Sequence, residues 1–315
     1  MNERKRFGRK LMGLLLFLCG TVAGAQTAPP QEWTPATAAR VDALVAAYVP
    51  AVLPGLQLAV AYRGRLLYAQ GYGLADVRQN IAMRADTPMR IGSVTKQITA
   101  AAILLLARQK KLSLDDPLSR WVPEVRLAHE PNLRQLVQMV GGIRGDDDEL
   151  FGGAVAEIEE PPLPPARFLA NVAAQGRFAA PGDAYAYSNA GYTLLGVVIE
   201  RATGEPLETV YRRLFFEPAQ MHSATLVSAT PRPGDAVGHF RPRTTDPWRQ
   251  CPDLNSGFGA AGGLIMTAQD LVRWNRLLLG GALLPAADIE AMRTPARLNN
   301  GESAPIGMGI ASLGP

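Results

Sequence analysis

From residue 98 to residue 107 the chain carries no charge, only Ile, Thr, Ala and Leu. A helix that is apolar all round is a buried helix, so this run predicts a central one that opens near Ser93 and ends near Lys110-Lys111. Other stretches are one-sided. After Thr34-Pro35, the residues Val41, Leu44, Val45, Tyr48 and Val49 recur at helical spacing until Pro54-Gly55 stops them. Residues 56–62 and 66–70 read as strands, and Arg63-Gly64 between them marks a hairpin turn. Met89 to Gly92 lead into the central helix, and residues 112–123, with Asp115-Asp116-Pro117, read as a loop.

Residues 133–140 predict a short helix ending at Gly141-Gly142, followed by the acidic run Asp146-Asp147-Asp148-Glu149. The usual meaning of such a run is a solvated loop, and it lacks the histidines or alternating spacing of a metal site. Pro161-Pro162-Leu163-Pro164-Pro165 is a stiff connector. Asn189 to Thr203 is an apolar helix closed by Gly204. Pro206 starts another, with Leu207, Val210, Tyr211, Leu214 and Phe215 on one face. Thr267 with Asp270 forms a capping-box pattern, and Gly280-Gly281 ends the helix it starts. There are no internal repeats. Helix, hairpin, a long helical middle and more helices is not the alternation of a parallel sheet. The expected class is α+β: an antiparallel sheet flanked by helices, plus a mainly helical lobe over about residues 115–250.

Charge changes this picture only at the start. The formal charge is +4, but residues 1–25 hold Arg4, Lys5, Arg6, Arg9 and Lys10 against the single acid Glu3, so the remainder is neutral. A neutral chain has no general attraction for nucleic acid or an anionic membrane. The basic start precedes an apolar segment over residues 11–18 and then Ala23-Gly24-Ala25, the pattern of a secretory signal peptide cleaved after Ala25. The expected protein is therefore periplasmic or secreted, with a mature domain over 26–315 and no stable membrane span after cleavage. Of the two cysteines, Cys19 lies in this leader, leaving Cys251 without an intramolecular partner and reading as a buried structural thiol.

The candidate chemistry sits at the head of the central helix. Ser93 precedes Lys96 by three residues, which on a helix puts both side chains on one face. Arginine is the default cation here: only Lys5, Lys10, Lys96, Lys110 and Lys111 are lysines. Lysine can deprotonate in a protein and arginine cannot. A lysine held against low-dielectric protein loses some of its preference for the ammonium, and a neutral amine beside a serine can take its proton and make it a nucleophile. A second group, Tyr187-Ser188-Asn189, follows Pro181-Gly182-Asp183 at a helix entry. A tyrosine hydroxyl near such a lysine can relay a proton, and an asparagine amide can hold a substrate amide. A tyrosine packed at a helix entry with an Asn cap is the plainer reading of that triplet taken alone.

Together these pieces resemble the serine β-lactamase and penicillin-binding-protein superfamily, on the branch of class C β-lactamases, D-peptidases and esterases. Ser93 to Lys96 matches its S-x-x-K element and Tyr187 to Asn189 its Y-x-N element. Pro54-Gly55, Leu112-Ser113-Leu114-Asp115-Asp116, Gly262-Gly263-Leu264 and Asp270-Leu271 are also typical of that branch. The resemblance covers roughly residues 40 to 310. It implies acyl transfer through Ser93, with Lys96 and Tyr187 as general base and acid. Asn189 would hold the substrate amide or Lys96, and the Ser93 N–H would supply half of an oxyanion hole. It implies no metal and no organic cofactor. The implied substrate is a β-lactam, a D-Ala-D-Ala-like peptide or an ester.

Two departures qualify the resemblance. Where the branch carries His-Thr-Ser-Gly, this chain has Met139-Val140-Gly141-Gly142, so a local polar network is lost. The third family element, Lys or His with a following x-Gly, is expected after Gly307-Met308-Gly309-Ile310, whereas the sequence stops at Pro315. The expectation is a domain without its last strands and helix. A non-catalytic relative that binds cell-wall peptide or a partner, or a truncated gene product, remains open beside the hydrolase. Other hydrolases fit poorly: His129, His222 and His239 form no H-E-x-x-H, and there is no G-x-S-x-G.

Overall fold

A computed structural model describes residues 33–47, 49, 53–143, 164–227, 232–241, 243, 245–251 and 259–311. The leader, the acidic run at 146–149 and the first part of the proline connector lie outside the described residues. Thr34 Oγ1 accepts from Thr37 N at 3.1 Å and Pro35 occupies the first turn, so α1 (Pro35–Ala46) starts where the sequence predicts. Arg63 and Gly64 both take left-handed φ, 49° and 74°, as a two-residue hairpin turn requires. That turn joins β1 (Gly55–Tyr62) to β2 (Arg65–Asp76) in antiparallel register from Gly55 opposite Gly73 to Tyr62 opposite Arg65.

α1 buries none of its residues fully; polar contacts hold it instead. The Asp42 carboxylate accepts from the hydroxyls of Tyr68 and Tyr72 on β2, the latter at 2.7 Å, and the Trp33 ring packs on Tyr68 at 5.1 Å. The Tyr68 and Tyr72 hydroxyls hold the Asp42 carboxyl below the usual carboxylate range. A depressed carboxylate pKa contributes stability above the unfolded-state value and loses it as pH falls through the folded value. We therefore expect α1 amides to exchange faster at about pH 3 than at pH 6, after correction for intrinsic rates. Equal protection at both pH values, read by hydrogen-exchange mass spectrometry, would refute this.

The remaining strands are short: β3 (Ile81–Ala82), β4 (Met89–Arg90), β5 (Thr225–Leu226), β6 (His239–Phe240), β7 (Arg249–Gln250) and β8 (Leu264–Met266). With β1 and β2 they make, among the described residues, three antiparallel sheets, ordered β1-β2-β3, β4-β8-β5 and β6-β7, where the sequence suggested one. The uncharged run becomes α2 (Thr95–Arg108), and ten of its 14 residues are buried, which makes it the central element. Ser93 lies just ahead of it in a 3₁₀ turn, Gly92–Val94, and not within the α-helix itself.

Within the stretch predicted as a loop, α3 (Leu118–Trp121) forms a short helix around fully buried Leu118. α4 (Leu133–Val137) begins with a full capping box between Asn132 and Gln135. It ends three residues earlier than predicted, because Met139 turns left-handed at φ 57°. α5 (Pro165–Gln175), α6 (Asn189–Thr203) and α7 (Leu207–Tyr211) follow, and a π-helical turn over Arg212–Phe216 extends α7. The last helices are α8 (Gly259–Gly262), α9 (Ala268–Leu279) and α10 (Ala286–Arg293). Only half of the predicted capping box of α9 forms. Thr267 Oγ1 accepts from Asp270 N, while the Asp270 carboxylate accepts instead from Ser223 and from Arg273 at 2.6 Å.

α6 and α8 pack on α2. A Cβ at Gly196 of α6 would lie 2.9 Å from Ala260 Cβ, so glycine is what lets α8 approach this closely. Trp274, Tyr192, Tyr211 and Phe215 fill the same core. The class is α+β, with helices around small antiparallel sheets. No helix among the described residues is long and apolar enough to cross a membrane.

Candidate active site

The β4–β8 pair delivers the chain to Ser93. Met89 pairs with Met266, Arg90 with Ile265, and Ile91 N donates to Leu264 O at 3.0 Å. The tight turn then places Ser93 exposed at the surface and Lys96 one turn deeper, only 2% exposed. Although Ser93 is outside the α-helix, the predicted proximity is met: Lys96 Nζ lies 3.3 Å from Ser93 Oγ. Lys96 Nζ also donates to Asn189 Oδ1 and to the Ala261 carbonyl, each at 2.7 Å. Tyr187 Oη donates to Ser93 Oγ at 2.5 Å. The four predicted site residues, Ser93, Lys96, Tyr187 and Asn189, thus converge from positions more than ninety residues apart.

Tyr187 and Asn189 are placed by the start of α6. Ser188 caps that helix, its Oγ accepting from Gly191 N at 2.9 Å. The predicted Asn cap is therefore a serine cap, and Asn189 is left in the first turn with its amide turned to Lys96. The loop before it is tied to the stretch that departs from the family pattern. Ala186 N donates to Met139 O at 3.1 Å, Gly182 N to Val140 O at 2.8 Å, and Phe178 N to Gly142 O at 3.0 Å. Met139 and Val140 are both 3% exposed, and Val140 packs with Ala296 and Ala304. The polar network expected from relatives is replaced by apolar burial, and backbone carbonyls still hold the Tyr187 loop.

Two opposing effects act on the Lys96 amine. Burial disfavours its charged form, whereas two carbonyl acceptors favour it. The Tyr187 and Tyr192 ring centroids, 4.5 and 5.6 Å from Nζ, favour it too. An ammonium has three donors, while an amine has two N–H and one lone pair. The two short contacts go to oxygens that only accept, and the longer one goes to a hydroxyl. A neutral amine with its two N–H groups on Asn189 and Ala261 would have its lone pair toward Ser93 Oγ. That orientation suits proton abstraction.

A cavity of about 600 Å³ opens beside Ser93, walled by Leu56, Met89, Ile91, Val94, Met266 and Leu271. Gln57 also borders it, but its amide is engaged: it donates to Arg84 O at 2.7 Å and Thr87 O at 2.5 Å and accepts from Ala268 N at 2.9 Å. Arg90 and Asn189 line it too, so the wall is mostly apolar but carries one cation and a second amide. The cysteine and histidines among the described residues sit in other settings. Cys251 is half-buried, and burial pushes its thiol up from the ordinary value, so it is not an activated thiolate. His239 Nε2 accepts from Val77 N at 3.2 Å, a structural contact, and His129 and His222 are exposed.

Sequence reasoning gave Tyr192 no role beyond ending the family-like stretch Tyr187-Ser188-Asn189-Ala190-Gly191-Tyr192, and it missed the Ala261 carbonyl. Tyr192 lies three residues past Asn189 on the same helix, so its helical spacing was the available signal. A backbone carbonyl carries no signal in residue type.

The beta-lactamase family profile matches residues 41–312. PbpX of Bacillus subtilis strain 168 is 28% identical over 252 residues, covering 80% of this chain and 60% of PbpX. The esterase EstB of Burkholderia gladioli is 35% identical over 196 residues, covering 57% of this chain and 48% of EstB. The chain thus spans about half to three fifths of the length of these relatives. Among solved structures, the D-amino acid amidase of Ochrobactrum anthropi SV3 superposes with a TM-score of 0.75 at 23% identity, covering 87% of this chain and 81% of the amidase. A likeness at that identity speaks for the fold alone. With the profile spanning most of its length, the chain belongs to the beta-lactamase family, within the serine β-lactamase and penicillin-binding-protein superfamily.

Proposed function

We propose that this chain is an exported serine hydrolase that works through an acyl-serine intermediate. The contact triangle of Ser93, Lys96 and Tyr187 carries the reading. Ser93 Oγ attacks a substrate carbonyl carbon while its proton passes to the Lys96 amine. The C–O bond to Ser93 forms as the carbonyl becomes an oxyanion. Collapse expels the alcohol or amine, which takes a proton delivered through Tyr187. Water then attacks the ester carbon and gives a proton to Lys96; as the bond to Ser93 Oγ breaks, that proton passes to Oγ and the acid leaves. The Ser93 N–H sits in the first turn of a helical segment, where such groups lack an intrahelical partner, and it donates to the oxyanion.

The mostly apolar wall favours a hydrophobic acyl group, and the esterase EstB is among the relatives. The first substrate class is accordingly an ester of an apolar acid, with β-lactams and D-amino-acid peptides or amides behind it. Intact mass spectrometry after a fluorophosphonate is expected to show one adduct on Ser93. Parallel assays with a nitrophenyl butyrate, a penicillin and a D-Ala-D-Ala peptide should show the ester turned over fastest. No adduct on folded protein would overturn the hydrolase and leave the non-catalytic binder. Export belongs to the same proposal: the basic, apolar, small-residue start supports cleavage after Ala25, and a mature chain recovered outside the cytoplasm should begin at Gln26.

A further inference from the structure

Beneath Lys96 runs a second line of buried polar groups that the mechanism above does not use. Thr99, one turn beyond Thr95 on α2, is fully buried. Its hydroxyl donates to Ala260 O at 2.6 Å, lies 3.3 Å from Thr95 O, and lies 2.7 Å from the Tyr211 hydroxyl. A threonine has one proton to give. Both carbonyls can only accept, so that proton goes to them and the Tyr211 hydroxyl is the donor to Thr99. The chain of bonds has one direction: Tyr211 to Thr99 to Ala260 O. Tyr211 is itself locked, fully buried between rings of Phe215 and Phe216 at 6.2 Å each.

The next peptide along from Ala260 carries the Ala261 carbonyl that accepts from Lys96. α8 is only four residues long, too short to be rigid by its own hydrogen bonds. It is held by close packing on α6 at Gly196 and by contacts with α2, and Thr95 Oγ1 accepting from Leu264 N at 3.2 Å fixes the start of β8 just after it. Three α2 side chains, at 95, 96 and 99, thus grip one short segment.

We infer that Thr99 and Tyr211 are positioning residues: they fix the Ala260–Ala261 peptides so that the Ala261 carbonyl orients the Lys96 amine toward Ser93. The inference rests on the acyl-serine reading above. The titratable groups facing the amine from the packed elements are the Tyr187 and Tyr192 phenols, with Tyr211 acting through Thr99.

The test measures the rate of Ser93 acylation by a fluorophosphonate across pH in the full chain, for wild type, Thr99→Val, Thr99→Ser and Tyr211→Phe, with urea midpoints recorded beside it. Misplacing a reacting group by an ångström costs up to about 100-fold. Thr99→Val is expected to slow acylation about 10- to 100-fold, and Thr99→Ser to restore it within about threefold. A released Ala261 carbonyl no longer stabilises the ammonium, so the acid limb of the rate profile should move to lower pH. Tyr211→Phe should move it the same way by less. Unchanged rates per folded molecule, or slowing with no movement of the limb, would overturn the inference and leave Thr99 and Tyr211 as packing groups. If Thr99→Val does not fold, Thr99→Ser and Tyr211→Phe are read by the same two criteria. Absence of a Ser93 adduct in wild type would instead sink the acyl-serine reading, so the two failures are distinguishable.

Discussion

Ser93→Ala is expected to remove the covalent adduct and to lower ester turnover by at least about 10⁴-fold, because loss of a serine nucleophile costs about 10⁶ in the best-measured case and leaves only binding and oxyanion stabilisation. Little should change in stability. Ser93 is exposed in a 3₁₀ turn, and when its hydroxyl is removed Lys96 keeps its bonds to Asn189 and Ala261. Exposed polar substitutions of this kind usually shift stability by less than about 0.5 kcal/mol. Initial rates on a nitrophenyl ester, with the urea midpoint measured on the same samples, check both halves. Residual turnover above a hundredth of wild type, or an adduct that survives the substitution, would move the nucleophile elsewhere.

Much of this site is legible in the sequence because its parts are local. The uncharged stretch after Ser93 announces a buried helix, and three-residue spacing then brings an amine to a hydroxyl whether the first turn is α or 3₁₀. The rarity of lysine in the chain singles out position 96. What was not legible is what the rest of the chain supplies. The Ala261 oxygen belongs to the backbone, and any residue there would present it. β8 pairs with β4 and with β5 over two residues each, too short to show an alternating pattern. The single sheet expected from the sequence therefore resolves into three. α4 ends at Val137 because Met139 adopts a left-handed backbone that residue type does not announce. The exchange of polar for apolar residues at 139 and 140 looked like a loss. In the fold it is an exchange of one support for another, since burial holds those side chains while their carbonyls still anchor the loop of Tyr187.

The sharpest test of the base is Lys96→Arg, because it separates charge from proton transfer. Arginine keeps a cation and supplies donors for Asn189 Oδ1 and Ala261 O, which Lys96 reaches at 2.7 Å, but it cannot deprotonate in a protein. If the role of Lys96 were only to hold the site together electrostatically, arginine would retain much of the activity. If Lys96 takes the proton of Ser93, acylation should fall about 10²- to 10⁴-fold, the scale of a lost general base. A larger side chain in a seat 2% exposed also strains the core, at about 1–3 kcal/mol, so the rate must be normalised to the folded fraction by circular dichroism. Lys96→Met provides the complement. It fits the space without strain but strands two buried oxygens at about 1–3 kcal/mol each, while removing the cost of burying an amine. Both variants should be inactive on the folded fraction, since what they share is the lost lone pair beside Ser93. Activity in Lys96→Arg above about a tenth of wild type would assign the proton to Tyr187, whose hydroxyl lies 2.5 Å from Ser93 Oγ.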